Sequence, residues 1–157
     1  ARRWAAITAG RGLITDAPTD HPTGEFASPN AKPWADTSLG DRIDLLKKHA
    51  DEMAIDDRIV DWSASLHRDD VTSLLLASGG GRVVQDMRRT VPLLRATAHA
   101  DGVTQTRTHG AQAFSGQGGA EVLDRFGFGE AARRVAEQAL ELLSGPGKGS
   151  RFQWSEA

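Results

Sequence analysis

The stretch from Val60 to Gly119 constrains the fold most strongly, because it alternates strand-like segments with turns rich in glycine. From Val60 to His67, apolar and polar side chains alternate with a period of two, as in a strand that buries one face. The other strand candidates follow at residues 71–78, 83–87, 91–100 and 103–109. The last of these is rich in Thr and Gln and polar on both sides, which predicts an exposed edge strand.

Turn signals mark three of the four breaks between these strand candidates. Arg68-Asp69-Asp70 predicts a polar turn, and Gly79-Gly80-Gly81 predicts a reversal of the chain. Asp101-Gly102 is a dipeptide typical of a two-residue hairpin. Because successive hairpins place consecutive strands side by side, this order predicts an antiparallel β-meander.

Two amphipathic helices flank the strands. Ser38 is predicted to cap the first helix, with Asp41 at the third position of its first turn. Its apolar stripe consists of Leu39, Ile43, Leu46, Ala50 and Met53. The stripe of the second helix, which Gly145-Pro146 ends, consists of Ala132, Val135, Ala136, Ala139, Leu142 and Leu143. The sequence therefore predicts an α+β fold, in which an antiparallel β-meander sheet carries both helices on one face.

The first 36 residues follow no such pattern. Residues 2–9 predict the end of a helix, and residues 16–34 hold four prolines and predict a loop. A loop of that length is unusual inside a compact domain, so it is interpreted as a surface excursion or as an arm that packs on something outside this chain. The predicted organisation is a partial helix and loop at 1–36, a scaffold domain at 37–146, and a linker or the start of a second domain at 147–157. The chain is thus expected to be a piece of a longer protein.

Charge and composition exclude several classes of protein. The net charge of -2 argues against a nucleic-acid partner, and the apolar runs are far shorter than a membrane span. The absence of cysteine excludes disulfides, thiolate zinc sites and cysteine nucleophiles, and it is compatible with the cytoplasm.

A metal site at the predicted hairpin is one candidate for chemistry. His99, Asp101 and His109 flank the Asp101-Gly102 turn, and imidazole and carboxylate groups are suitable zinc ligands. No further ligand has a convincing spacing, and the sequence holds no His-Glu-x-x-His pair. A solvated hairpin is therefore the favoured interpretation, and this chain is predicted to bind no metal.

The glycine-rich segment from Ser115 to Gly119 is a second candidate, because backbone amides of such a loop can hold a phosphate. It lacks the Lys-Ser/Thr ending of a P-loop, so a flexible loop is favoured. If the glycines have a function, they would allow the backbone to approach an extended peptide closely.

The remaining polar and aromatic clusters are interpreted as surface or packing features. Adjacent acids point apart and make poor acid–base pairs; they are Asp51-Glu52, Asp56-Asp57 and Asp69-Asp70. The basic cluster of Arg82, Arg88 and Arg89 predicts a solvated rim, with a contact to a partner domain as the second choice. Trp34, Trp62 and Trp154 are interpreted as packing residues. No catalytic, cofactor-binding or metal-binding residue is assigned.

The order of these motifs resembles the N-terminal domain of the TldD/PmbA (TldE) family over about residues 35–146. The resemblance rests on the strand 63–67, on the hairpin 74–93 with Asp86, Arg88 or Arg89, Val91 and Leu93, and on the glycines of 115–119. Phe126-Gly127-Phe128-Gly129 then leads into the helix of residues 131–144, and residues 39–53 resemble the family's preceding helix.

The resemblance implies a cytosolic zinc metallopeptidase that works as a TldD–TldE pair and matures or degrades small unfolded peptides, including microcins and antitoxins. Its His-Glu-x-x-x-His motif lies beyond the last helix found here, so no ligand or catalytic residue carries over to this chain. Zinc is expected for the full-length protein and not for this piece. The piece is expected to shape the peptide channel and to contact the second subunit of a dimer.

Two other classes of function stay open. One is a non-catalytic, stand-alone binding or assembly domain that keeps only this scaffold. The other is a small-molecule binding domain that uses residues 115–119. A His-Glu-x-x-x-His codon run downstream of Ala157 would favour the peptidase, and a stop codon there would favour the binding domain.

Overall fold

The computed structural model describes residues 21–77 and 80–144, which form five strands and three α-helices. The strands are β1 (Thr23–Ala27), β2 (Ile59–Leu76), β3 (Arg82–Ala100), β4 (Val103–Gly110) and β5 (Gly116–Gln117). The helices are α1 (Leu39–Asp51), α2 (Glu121–Arg125) and α3 (Phe128–Ser144). Short 3-10 helices lie at Trp34–Asp36 and Ala111–Phe114. This confirms the predicted α+β class.

Strand β3 is the centre of the sheet. On one side it pairs with β2 in antiparallel register, from Ile59 opposite Ala98 to Leu76 opposite Arg82. On the other side it pairs with β1, which is parallel, and then with the antiparallel strands β5 and β4. The sheet is mostly antiparallel, as predicted, and the hairpin at Asp101-Gly102 joins β3 to β4.

The predicted turn at Arg68-Asp69-Asp70 is wrong, because β2 runs through these residues without a break. Asp69 lies opposite Arg89 of β3, and their side chains form an ion pair of 2.6 Å. Arg68 pairs with Asp70 two residues along the strand. Cross-strand and same-face charge pairs of this kind allow a polar run to remain in a sheet. The separate strands predicted at 83–87 and 91–100 likewise form one strand.

The predicted loop at residues 16–34 is also wrong in part, because Thr23–Ala27 forms β1 and packs on the chain itself. The next residues are anchored too, since Ser28 N donates to the Asp86 carbonyl at 2.8 Å. Trp34 is buried and donates from Nε1 to the Thr90 hydroxyl at 3.1 Å. Residues 23–34 thus pack on this chain's own sheet. The predictions for residues 2–9, for 147–157 and for Trp154 lie outside the described residues.

Helix α1 begins as predicted. The Ser38 hydroxyl accepts from Asp41 N at 3.1 Å, and the Asp41 carboxylate accepts from Ser38 N at 3.0 Å, which is a capping box. Its stripe is buried only toward the C-terminal end: Met53 is fully buried, whereas Leu39 is 70% exposed. Helix α3 buries a longer stripe, made of Phe128, Ala131, Ala132, Val135, Ala136, Ala139 and Leu143. Leu142, predicted to belong to it, is exposed.

The helices pack on one face of the sheet, which confirms that part of the prediction. Most buried residues of β3 are even-numbered and lie near its C-terminal end, including Leu94, Ala96 and Ala98, which meet α3 in the core; Thr97 is buried on the other face. Val91, Arg95 and His99, which point the other way, are half-buried or exposed. Among the described residues, no helix is long and apolar enough to cross a membrane.

Candidate functional site

One face of the sheet has no helix packed on it in the described part of the chain. This open face consists of the odd-numbered side chains of β2 from Asp61 to Leu75 and of β3 from Val83 to His99, because directly opposite residues of antiparallel strands share a face. Its part near β4 is polar and rich in hydroxyl groups. Its part near β1 is apolar, and Val71 and Leu75 are exposed there.

A cavity of about 500 Å³ lies on the open face where its polar and apolar parts meet. The residues that line it are Asp69, Val71, Met87, Arg89 and Gln117. They come from three neighbouring strands, since Arg89 of β3 lies opposite both Asp69 of β2 and Gln117 of β5. We call this the open-face cavity. Its size falls within the range of about 300–1,000 Å³ that is usual for small-ligand sites.

An ion pair forms one wall of the open-face cavity. Arg89 donates from Nε and Nη2 to Asp69 Oδ2 at 3.1 and 2.6 Å. The other carboxylate oxygen, Oδ1, lies 2.9 Å from His67 Nε2. The hydrogen bond from Arg89 is the main cause that lowers the pKa of Asp69, with a smaller contribution from His67. Asp69 is therefore ionised near neutral pH.

The three residues considered as zinc ligands do not meet. His99 lies on the open face, with Nδ1 at 2.8 Å from the Thr104 hydroxyl. His109 lies on the covered face, where Nε2 donates to the Phe126 carbonyl at 2.9 Å and the ring packs on Phe114. Within residues 21–77 and 80–144 there is no group of three or more His, Asp or Glu side chains that could hold a metal. The residues described here do not fit a catalytic zinc ion, and no metal-dependent step is assigned to them.

The segment from Ser115 to Gly119, predicted as a loop, contributes a short strand to the sheet. Gly116 and Gln117 form β5, and Gly118 N donates to the Arg88 carbonyl at 3.1 Å. Gly119 N donates to Glu121 at 3.0 Å. These two amides are thus satisfied inside the chain, which argues against a phosphate site there. The close backbone approach of Gly119 is to the Lys32 carbonyl of the same chain.

Glu121 links the segment before α1 to the start of α2 through hydrogen bonds, a role that was not predicted from the sequence. Its carboxylate accepts hydrogen bonds from the amides of Ala31, Lys32 and Gly119 at 3.2, 2.8 and 3.0 Å. Burial acts to raise the pKa of Glu121, but these amides outweigh it and lower the pKa to about 2. The only local signal is an acid in the first turn of a helix, where its charge is favoured.

Glu121→Gln is expected to reduce the free energy of unfolding at pH 7 by on the order of 1–3 kcal/mol, because it weakens acceptance from three amides. The pKa of Glu121 is lowered from 4.5 to about 2 on folding, so its contribution is complete above pH 4.5 and is lost as the pH falls toward 2. Urea unfolding of both proteins at several pH values measures the difference. Glu137→Gln, which loses an exposed ion pair within α3, is the control. A difference between Glu121→Gln and the parent that does not shrink in acid would contradict the assignment.

The arginines of the predicted basic cluster alternate between faces and pair within the chain. Arg82 binds Glu25 at 3.0 Å, Arg88 pairs with Asp86, and Arg89 pairs with Asp69. Arg82 and Arg88 lie on the covered side of the sheet, where the helices do not reach them, and Arg89 lies on the open face. Within the described residues each of these arginines thus has an acidic partner, and the contact with a partner domain that was the second choice stays a prediction.

The other sequence candidates have structural roles or lie at the surface. Asp56 accepts hydrogen bonds from the Arg58 side chain and backbone, which lower its pKa. Asp51 and Asp57 are exposed, as expected for solvated acids. Trp34 is a core residue as predicted, whereas Trp62 is 38% exposed.

The comparison with protein families gives one match. The model of the PmbA/TldA metallopeptidase central domain matches residues 32–143, which span the chain from the segment before α1 to the end of α3. The chain belongs to the PmbA/TldA metallopeptidase family. The matched domain is described as central, whereas the resemblance in the sequence had assigned these residues to the N-terminal domain. A search of curated proteins finds no significant match.

Proposed function

We propose that this chain is part of a zinc metallopeptidase that matures or degrades small, unfolded peptides in the cytoplasm, and that its open face forms part of the wall of the peptide channel. The family match supports the peptidase class. The zinc ion would be held by residues other than those described, because none of these forms a suitable cluster.

The observation that carries the proposal is the asymmetry of the sheet. One face is filled by the apolar stripe of α3, while the open face presents hydroxyl groups, charged groups and a cavity of about 500 Å³. Polar groups that project from a rigid sheet can contact an extended peptide without rearrangement. Strand β2 also has β3 as its one neighbour in the described sheet, so its outer backbone groups are free to pair with another strand.

The part of the sheet beyond the helices supports a contact with a second subunit in a dimer. Outside the open-face cavity, its exposed apolar residues are Phe26 and Leu75 on the open face and Leu74 and Leu76 on the other face. Large apolar groups that are exposed together on a folded surface mark protein interaction sites. We therefore assign the subunit contact of a TldD–TldE-type pair to this end of β2 and β3, and the peptide contact to the open face from the open-face cavity toward β4.

Hydrolysis of unstructured peptides of about ten residues by the complete gene product tests this function. We expect hydrolysis with Zn²⁺ and its loss after chelation. Ser65→Trp places a large side chain on the open face and should slow hydrolysis by at least about tenfold, as expected when a substrate is misplaced. Arg134→Trp, on the exposed side of α3, should leave the rate unchanged.

Two results would contradict the proposal in different ways. Hydrolysis that Ser65→Trp does not slow would remove the open face from the channel wall. A complete gene product that binds peptides but hydrolyses none with any divalent metal would instead favour the non-catalytic binding or assembly domain.

A further inference from the structure

We infer that the open-face cavity holds one apolar side chain of an extended peptide together with a neutral main-chain carbonyl oxygen of that peptide. The inference rests on the proposed function, because it names the part of a peptide substrate that this wall contacts. It predicts a preference for an apolar residue at one position of the substrate.

The floor of the open-face cavity is apolar. Val71 and Met87 lie directly opposite each other on β2 and β3, and Val71 is 49% exposed. Burial of a ligand side chain there would remove apolar surface of both partners from water, which is favourable. Methionine adapts to side chains of different shapes. The floor therefore suits several apolar residues rather than a single one.

The walls of the cavity offer hydrogen-bond donors. Arg89 uses Nε and Nη2 for Asp69, so its Nη1 has no acceptor within the described residues. Gln117 uses Oε1 to accept from the Ser28 hydroxyl at 3.1 Å, which leaves its amide N–H groups as donors. An arginine and an amide side chain can both donate to a carbonyl oxygen.

The charge balance favours a neutral acceptor over a carboxylate. Asp69 already neutralises Arg89, at an N–O distance of 2.6 Å. A ligand carboxylate at Arg89 would also approach the Asp69 carboxylate, and like charges at short distance repel. A main-chain carbonyl avoids this repulsion. The cavity is therefore assigned to an internal residue of a peptide and not to its C-terminal carboxylate.

The covered face supplies matched controls. Arg88 is adjacent to Arg89 and also pairs with an aspartate, Asp86, but it points away from the cavity. Leu74 lies on β2 near Val71, is 58% exposed, and also points to the opposite face. Each pair of variants makes the same change in charge on the two faces of the sheet. Only the open-face variant of each pair changes a residue that lines the cavity.

The test is an NMR titration of the 157-residue chain with N-acetyl-leucine methylamide, a neutral unit of an extended peptide. We expect saturable shifts at the cavity residues with a Kd on the order of 1 mM. N-acetyl-glycine methylamide should bind at least about tenfold more weakly, because it lacks the apolar side chain. Val71→Lys and Arg89→Gln should each weaken binding by about tenfold, whereas Leu74→Lys and Arg88→Gln should leave it within about twofold.

Three results would overturn the inference: no saturable shifts with the folded chain, tighter binding of N-acetyl-leucine with its free carboxylate, or equal losses in the variants of both faces. Thermal unfolding of each variant shows whether it is folded.

Failure of the proposed function can be distinguished from failure of the cavity assignment. If Zn²⁺-dependent hydrolysis persists unchanged in Arg89→Gln, the cavity assignment fails and the peptidase stands. If capped leucine binds but no peptide is hydrolysed, the cavity assignment stands and the peptidase fails.

Discussion

Phe128→Ala is expected to reduce the free energy of unfolding by about 3–5 kcal/mol, the usual cost of removing a large aromatic side chain from a core. Phe128 is 1% exposed at the start of α3, and its ring packs edge-on against His49 of α1 at 5.4 Å. The ring thus joins the two helices that cover the sheet. Since domains of this size are stable by only about 5–15 kcal/mol, the variant should be close to unfolding.

Urea unfolding followed by tryptophan fluorescence measures this effect, because Trp34 is buried in the same core. Phe26→Ala is the matched control. Phe26 lies on β1 and is 46% exposed, so its loss should cost about 1 kcal/mol or less. Equal losses in the two variants would show that Phe128 does not have the core role assigned to it.

The structural elements that are determined by residues close together in the sequence could be predicted. The capping box at Ser38 and Asp41 involves residues three positions apart, and the structure places the start of α1 there. The Asp101-Gly102 turn is equally local, and Asp101 and Gly102 both have positive φ angles as such a turn requires. The buried stripe of α3 follows a helical period. Each of these patterns is complete within a few residues.

The errors arose where distant residues decide the structure. Arg68-Asp69-Asp70 has the composition of a turn, and it stays in a strand because Arg89, twenty residues later, pairs with Asp69. Strand β1 has no alternation of burial, since all five of its residues are exposed. Its position comes from the parallel register with residues 82–86, which no local pattern indicates.

The candidate site could not be assembled from sequence for the same reason. The open-face cavity joins Asp69 to Gln117 through the register of three strands. Sequence reasoning set Asp69 aside as half of a solvated acid pair, which is the usual role of adjacent acids. For the glycines of 115–119 it considered only a close approach to an extended peptide. It could not identify the approaching group, which is the backbone near Lys32.

Gly119→Ala is expected to be among the most destabilising small substitutions in this domain. A Cβ atom at this position would lie closer than 3.0 Å to the Lys32 carbonyl oxygen and 2.6 Å from Asn30 Oδ1. The carbonyl cannot move away freely, because it accepts from Ala120 N at 2.8 Å. Overpacking typically costs about 1–3 kcal/mol and sometimes more. Here the clash also pushes apart the segment before α1 and the start of α2, which Glu121 joins. We therefore expect the free energy of unfolding to fall by about 3 kcal/mol or more.

Gly24→Ala is the matched control, because the same methyl group there would meet no atom within 4 Å. We expect its effect on the free energy of unfolding to stay within about 0.5 kcal/mol, as for ordinary surface substitutions. Amide hydrogen exchange at Lys32 and Gly119 provides a local measurement, since both amides donate to the Glu121 carboxylate. Faster exchange at these amides in Gly119→Ala, with normal exchange at the centre of β3, would locate the damage at this junction. Unchanged exchange and an effect no larger than that of Gly24→Ala would show that the backbone approach at Gly119 is not required, and that the glycine-rich segment is free to serve another role.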